Sequence, residues 1–183
     1  MNKTYIIFLC LLMGISGCGE FNQGAESVKS SYQKTASDTV IYTNVVQILQ
    51  NIRRDLPSEV RQIVLQGRVL LVGYVASSQE HIDLINAVWQ IKGVQEVIDH
   101  LEYAATNEKT GFEIKHAFLK TQLDSMFLTN SALHYNHFQY VMFKKNLYVL
   151  SSTSSESEKT AFFNMMRKMP TIQKVFFYST YRQ

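Results

Sequence analysis

The chain has 183 residues, 46% of them hydrophobic, a composition that belongs to a globular protein and excludes a disordered polymer. Its formal charge of +3 is too weak to argue for a nucleic-acid partner. No glycine-rich phosphate loop, zinc motif or nucleophile elbow occurs, so neither enzymatic activity nor a cofactor is expected.

The chain opens with one positive residue, Lys3, and an apolar run from Tyr5 to Met13. That run is shorter than the roughly 20 apolar residues a membrane-spanning helix needs and has the proportions of a secretory signal. It closes on Ile15-Ser16-Gly17-Cys18, which resembles the lipobox of bacterial lipoproteins: a branched apolar residue, two small residues and a cysteine. The resemblance implies cleavage before Cys18 and acylation of that residue; an ordinary signal with a chance cysteine is the other reading. Two or more acyl chains anchor a protein stably, whereas one gives only reversible binding. Gly19 follows the cysteine, and by the same resemblance the expected location is the periplasmic face of the outer membrane. Cys10 would leave with the signal and Cys18 would carry lipid, so no thiol and no disulfide is expected in the mature protein. Residues 18–38 are small and polar and read as an acylated N-terminus with a flexible tether, spanning roughly 25 Å.

An internal repeat organises the remainder. Arg68–Leu101 overlays Asn146–Ser179 without a gap, matching hydrophobic class almost throughout. In the first copy, Ile41, Val45, Ile48, Ile52 and Leu56 share one stripe of a helix that Pro57 is expected to stop. Strands follow over 60–66 and 69–75, with Gly67-Arg68 between. Ser77-x-x-Glu80 is a capping box and predicts a helix start; the helix should end near Lys92-Gly93, before a strand over 94–102. The second copy repeats the order: a helix over 113–124, a longer loop over 127–137, strands over 138–143 and 147–151, then a helix over 156–169. Ser155-x-x-Glu158 caps that helix and Pro170 stops it, and a last strand covers 172–181. The fold class is α+β: two tandem αββαβ domains, each a small sheet with two helices on one face. Their limits are 39–103 and 113–183, with a linker over 104–112.

The pattern Gly67-x-Val69-x-Leu71-x-Gly73-x-Val75, then Ser77 and Glu80, then Gly93-Val94-x-x-Val97, resembles the BON domain. The second copy has Lys145, Ser151 and Thr171 where the three glycines stand, which puts its turn geometry in doubt. A lipobox joined to tandem BON-like units is similar to the dual-BON outer-membrane lipoproteins. That resemblance implies binding to phospholipid surfaces, support of the envelope and no catalysis.

The copies differ in charge. Residues 39–103 carry 5 Lys/Arg and 7 Asp/Glu; residues 113–183 carry 9 and 4, with thirteen aromatics. A unit of about 70 residues buries only about 60% of its unfolded surface and cannot hide all of these on one core face. Three uses of the surplus stay open: a lipid surface, a protein contact that includes the other domain, or a bulky core. The candidates for lipid or partner binding are Lys115, Lys120, Lys144, Lys145, Lys159, Arg167 and Lys168. The expected partners are the membrane, through the anchor, then anionic phospholipid or an envelope protein complex. A structural subunit of an envelope-spanning assembly is the alternative. His134-x-x-His137 has no carboxylate or cysteine near it in sequence, so it reads as a polar loop and not a metal site.

Overall fold

A computed structural model describes residues 22–103 and 115–179, with side chains described from Ser37 and from Phe118 onward in the two segments. The chain divides into two units, Met1–Gln33 and Lys34–Gln183, and the second holds both sheets. Its elements are α1 (Asn22–Ile52, which begins before that unit), α2 (Leu56–Glu59), β1 (Val60–Leu65), β2 (Arg68–Val75), α3 (Ser78–Trp89) and β3 (Glu96–Tyr103). Then come α4 (Lys115–Thr129), a 3-10 turn (Tyr135–His137), β4 (Phe138–Phe143), β5 (Asn146–Ser151), α5 (Glu156–Met166) and β6 (Lys174–Ser179). The architecture is therefore α+β with two three-stranded sheets, as the sequence predicts.

Each sheet has its second strand in the middle, antiparallel to the first and parallel to the third. Register repeats exactly as sequence does: Val60 faces Gly73 and Phe138 faces Ser151, both pairs related by a shift of 78 residues. The serine half of each capping box forms, with the side chains of Ser77 and Ser155 accepting from the amides of Glu80 and Glu158. The glutamates turn to other donors: Glu80 accepts from the Ala76 amide, and the Ser155 amide donates to the Thr153 hydroxyl.

Three local expectations change. The long loop expected over 127–137 begins only at residue 130, because α4 carries its apolar face on to Thr129. Residues 22–38, expected within a flexible tether, belong to α1. Their polar composition does not itself break a helix: no proline interrupts the stretch, and a helix nucleated on the packed residues beyond extends at little cost. Pro57 does not stop α1, which ends at Ile52; it sits near the start of α2, where its missing N–H is not needed.

The glycine doubts have a structural answer. A Cβ on Gly73 would stand 2.1 Å from the Glu59 carbonyl oxygen, so only glycine lets β2 continue past β1 to Val75. Ser151 stands in its place, and β5 ends there, two residues earlier in the repeat. At the tight turns, Gln66 and Lys144 both adopt positive φ, 55° and 56°. Gly67 is also positive, at 76°, whereas Lys145 is not among the residues with positive φ.

Alternation along the strands creates three cores. Val69, Leu71 and Val75 face Ile41, Val45 and Leu49 of α1 and Leu84 and Val88 of α3. Leu147 and Val149 face Leu123 and Phe127 of α4 and Phe162 of α5. The intervening residues form the third core: Leu70, Val72, Tyr74 and Ile98 of the first sheet pack against Phe143, Tyr148 and Leu150 of the second. The order of layers is helices, sheet, sheet, helices. Of the three uses open to the aromatic surplus, contact with the other domain takes Phe143, Tyr148, Phe176 and Tyr178.

Because this third core is shared, damage on one side should unfold both. Leu150, fully buried, is expected to cost about 2–5 kcal/mol when truncated to alanine. Trp89, the single tryptophan, lies in the first half and reports on it. In urea titrations of Leu150→Ala its fluorescence midpoint should fall together with the circular dichroism midpoint. An unmoved Trp89 midpoint would mean that the halves unfold independently.

Candidate functional site

Four of the basic candidates have a polar side-chain partner. Lys144, in the β4–β5 turn, pairs at 2.5 Å with Glu102 and lies over the rings of Tyr74 and Phe143. The Glu102 hydrogen bond holds its ammonium above the usual value, and it braces the junction between the sheets. Lys120 pairs with Asp124 at 2.7 Å on α4. Burial pushes the Asp124 carboxyl up, but Lys120 and the hydroxyls of Tyr140 and Tyr135 outweigh it and hold it low. Lys159 pairs with Glu156, and Arg167 donates to Asn164. Lys145, Arg167 and Lys168 are exposed. The Lys115 side chain and all of Cys18 lie outside the described residues.

Topology gathers part of this set. The Lys144-Lys145 turn is joined to the start of β6 by the Gln173 amide donating to the Lys145 carbonyl at 2.8 Å. Arg167 and Lys168 close α5 a few residues before, and Lys174 opens β6 over the ring of Phe176. The result is a cationic end of the second half. Lys174 was not among the candidates from sequence; only the register of β6 places it there. At the opposite end of β2, the Asp38 carboxylate accepts from the amides of Gln66 and Gly67 at 2.7 and 2.8 Å.

The third residue of each capped helix is a carboxylate with a second duty, buried at Glu158 and half-buried at Glu80. Glu80 pairs with Arg53 at 2.8 Å, and Arg53 also binds Glu59 at 2.5 Å and Asp55 at 2.8 Å. The hydrogen bonds Arg53 donates to Glu59 and Glu80 outweigh burial and raise its pKa further. Glu158, at the same place in the second half, instead accepts from the Thr153 hydroxyl, the His134 amide and the His137 ring. Burial pushes its carboxyl up, yet these donors hold it at about 2. The fold thus brings to His134-x-x-His137 the carboxylate that is missing nearby in sequence. A second polar cluster is exposed: the His81 ring contacts Asp99 at 2.6 Å and the Tyr103 hydroxyl at 2.9 Å. A groove between α4 and α5 is lined by Met126, Thr129, Asn130, Met165 and Lys168, which supply no acid–base pair.

His100 lies between the sheets. Its ring sits 4.8 Å from those of Tyr148 and Phe176 and bonds to the Tyr178 hydroxyl. Beside it, Arg68 binds Glu96 and donates to the Tyr178 carbonyl at 3.3 Å. Burial lowers the His100 pKa, only partly offset by Asp99, while Lys174 lowers it further.

These observations define a class: an αββαβ repeat whose two sheets are joined back to back. Residues 37–105, which hold the first sheet and its helices, match the family model of the BON domain. No curated protein matches the chain. Two solved structures of CdsD, the structural protein of the type III secretion system of Chlamydia trachomatis, are loosely similar. The one of its C-terminal domain is 11% identical, with a TM-score of 0.28 over 75% of this chain, and the match spans only 64% of that chain. The other is 10% identical, with a TM-score of 0.31 over 74% of this chain and 91% of that one.

A histidine held below its usual pKa binds its proton more weakly in the folded state than in the unfolded one, near 6.5. The contribution of His100 is therefore complete above about pH 6.5 and is lost as pH falls from there through the folded value. Urea denaturation at pH 7.5 and pH 5 should show a smaller acid loss in His100→Gln than in the wild type. Equal losses would show that this ring is not titrating in the window.

Proposed function

We propose that the protein is a lipid-anchored, non-enzymatic component of the periplasm, held to the outer membrane through Cys18. In this reading its duplicated unit contacts anionic phospholipid and supports envelope integrity. The BON domain and the lipobox resemblance support the general role. The observation that carries the contact is the cationic end formed by Lys145, Arg167, Lys168 and Lys174. With four aromatics spent between the sheets, the attraction is electrostatic more than a matter of ring insertion. Each basic residue near an anionic surface contributes about 1 kcal/mol, which is weak for a free protein. On an anchored one the effective concentration is of millimolar order, and weak contacts suffice.

Residues 19–183 should co-sediment with liposomes containing phosphatidylglycerol or cardiolipin, release as salt rises, and ignore neutral vesicles. Lys145→Ala combined with Lys168→Ala should weaken that binding by about 10–30-fold. Binding indifferent to salt and to lipid charge would reject the contact.

Phe118 and Leu128, each 74% exposed on α4, favour a second reading, a subunit of an envelope-spanning assembly. Stoichiometric partners retained after mild detergent extraction, with no lipid response, would establish it in place of the first. The anchor has its own test: wild type should incorporate labelled palmitate and fractionate with membranes, and Cys18→Ser should do neither.

A further inference from the structure

We propose that His134, His137 and Glu158 form a binding site for a divalent transition-metal cation, zinc above all, where the loop before β4 meets the start of α5. One ligand atom from each residue lies within 4.8 Å of the others. Nδ1 of His134 stands 3.2 Å from one Glu158 oxygen, and Nδ1 of His137 stands 3.0 Å from the other. In a tetrahedral zinc site with bonds of about 2.0–2.1 Å, neighbouring ligand atoms are roughly 3.3–3.4 Å apart. Both imidazole–carboxylate separations are close to that spacing, and the two imidazoles need to approach each other by at most about 1.5 Å. Two imidazoles with one carboxylate are a ligand set zinc accepts.

Local structure explains the arrangement. His134 caps a 3-10 turn that His137 closes, and three residues per turn bring side chains at i and i+3 to the same side. The two rings lie 5.0 Å apart. Glu158, only 5% exposed, is oriented by the Thr153 hydroxyl and the His134 amide, as outer-shell partners orient metal-bound carboxylates. The exposed His134 leaves a fourth position open to water.

The first half supplies an internal comparison. Glu80, the repeat counterpart of Glu158, faces the permanent cation Arg53. A shift of 78 residues puts Ser131 at the Arg53 position and His137 at the Glu59 position. The second half has exchanged an arginine for two imidazoles around the equivalent carboxylate, and a bound dication restores the positive charge.

The test adds zinc chloride to the full chain in detergent and is independent of any lipid reading. One equivalent should bind and raise Tm by roughly 5–10 °C once free zinc is about a hundredfold above Kd. Magnesium should not, and cobalt(II) should give the strong visible bands of a four-coordinate ion. His134→Ala, at an exposed position, should keep the fold and lose most of the thermal shift; His134→Ala with His137→Ala should lose all of it. No shift with zinc, or the same shift in the double variant, would overturn the site. If the double variant unfolds, the single one decides.

Discussion

A three-stranded sheet that carries its helices on one face leaves the other face to be covered, and in this chain both such faces are apolar. Leu70, Val72 and Tyr74 project from one middle strand, Tyr148 and Leu150 from the other. Left in water, each face would be a patch of the kind that drives association. The duplication solves this internally by pressing the two faces together. Every residue of β2 is buried as a result, which is unusual for a sheet with helices on one face only. The ion pair of Lys144 with Glu102 and the Arg68 contact with the Tyr178 carbonyl then fix the mutual orientation of the sheets at both ends.

This packing was partly legible in the sequence. The run Val69-Leu70-Leu71-Val72 does not alternate with polar residues, and neither does Leu147-Tyr148-Val149-Leu150; a continuous apolar run marks a strand covered on both sides. The repeat offset, the serine caps and the order of elements along the chain also followed from periodicity and cap chemistry, because those signals are local. The helical start of α1 did not, since polar residues without proline suit a helix and a tether equally. The meeting of Glu158 with His134 and His137 was illegible for another reason. It depends on a separation of more than twenty residues that only the packing of α5 against the loop closes.

Duplication followed by divergence is visible in how the copies treat the same backbone. Gly73 permits two further residues of strand, and Ser151 removes them. The glutamate of each capped helix keeps its amide bond to the serine, yet its side-chain partner has changed from a guanidinium to imidazoles. A guanidinium stays charged at any physiological pH, whereas an imidazole near neutrality does not.

Burial of both inner sheet faces also limits how this molecule can meet anything else. What remains outside are the helix surfaces, the turns and the sheet edges. Of these, the turn end of the second half concentrates positive charge, while residues 39–103 are net acidic. Lys144 is already committed to Glu102, so the free end of that field rests on Lys145, Arg167, Lys168 and Lys174. A weak, screened field of this size selects among nearby surfaces but cannot recruit from a distance. Its usefulness depends on something else holding the domain close, and an acylated Cys18 would supply that constraint.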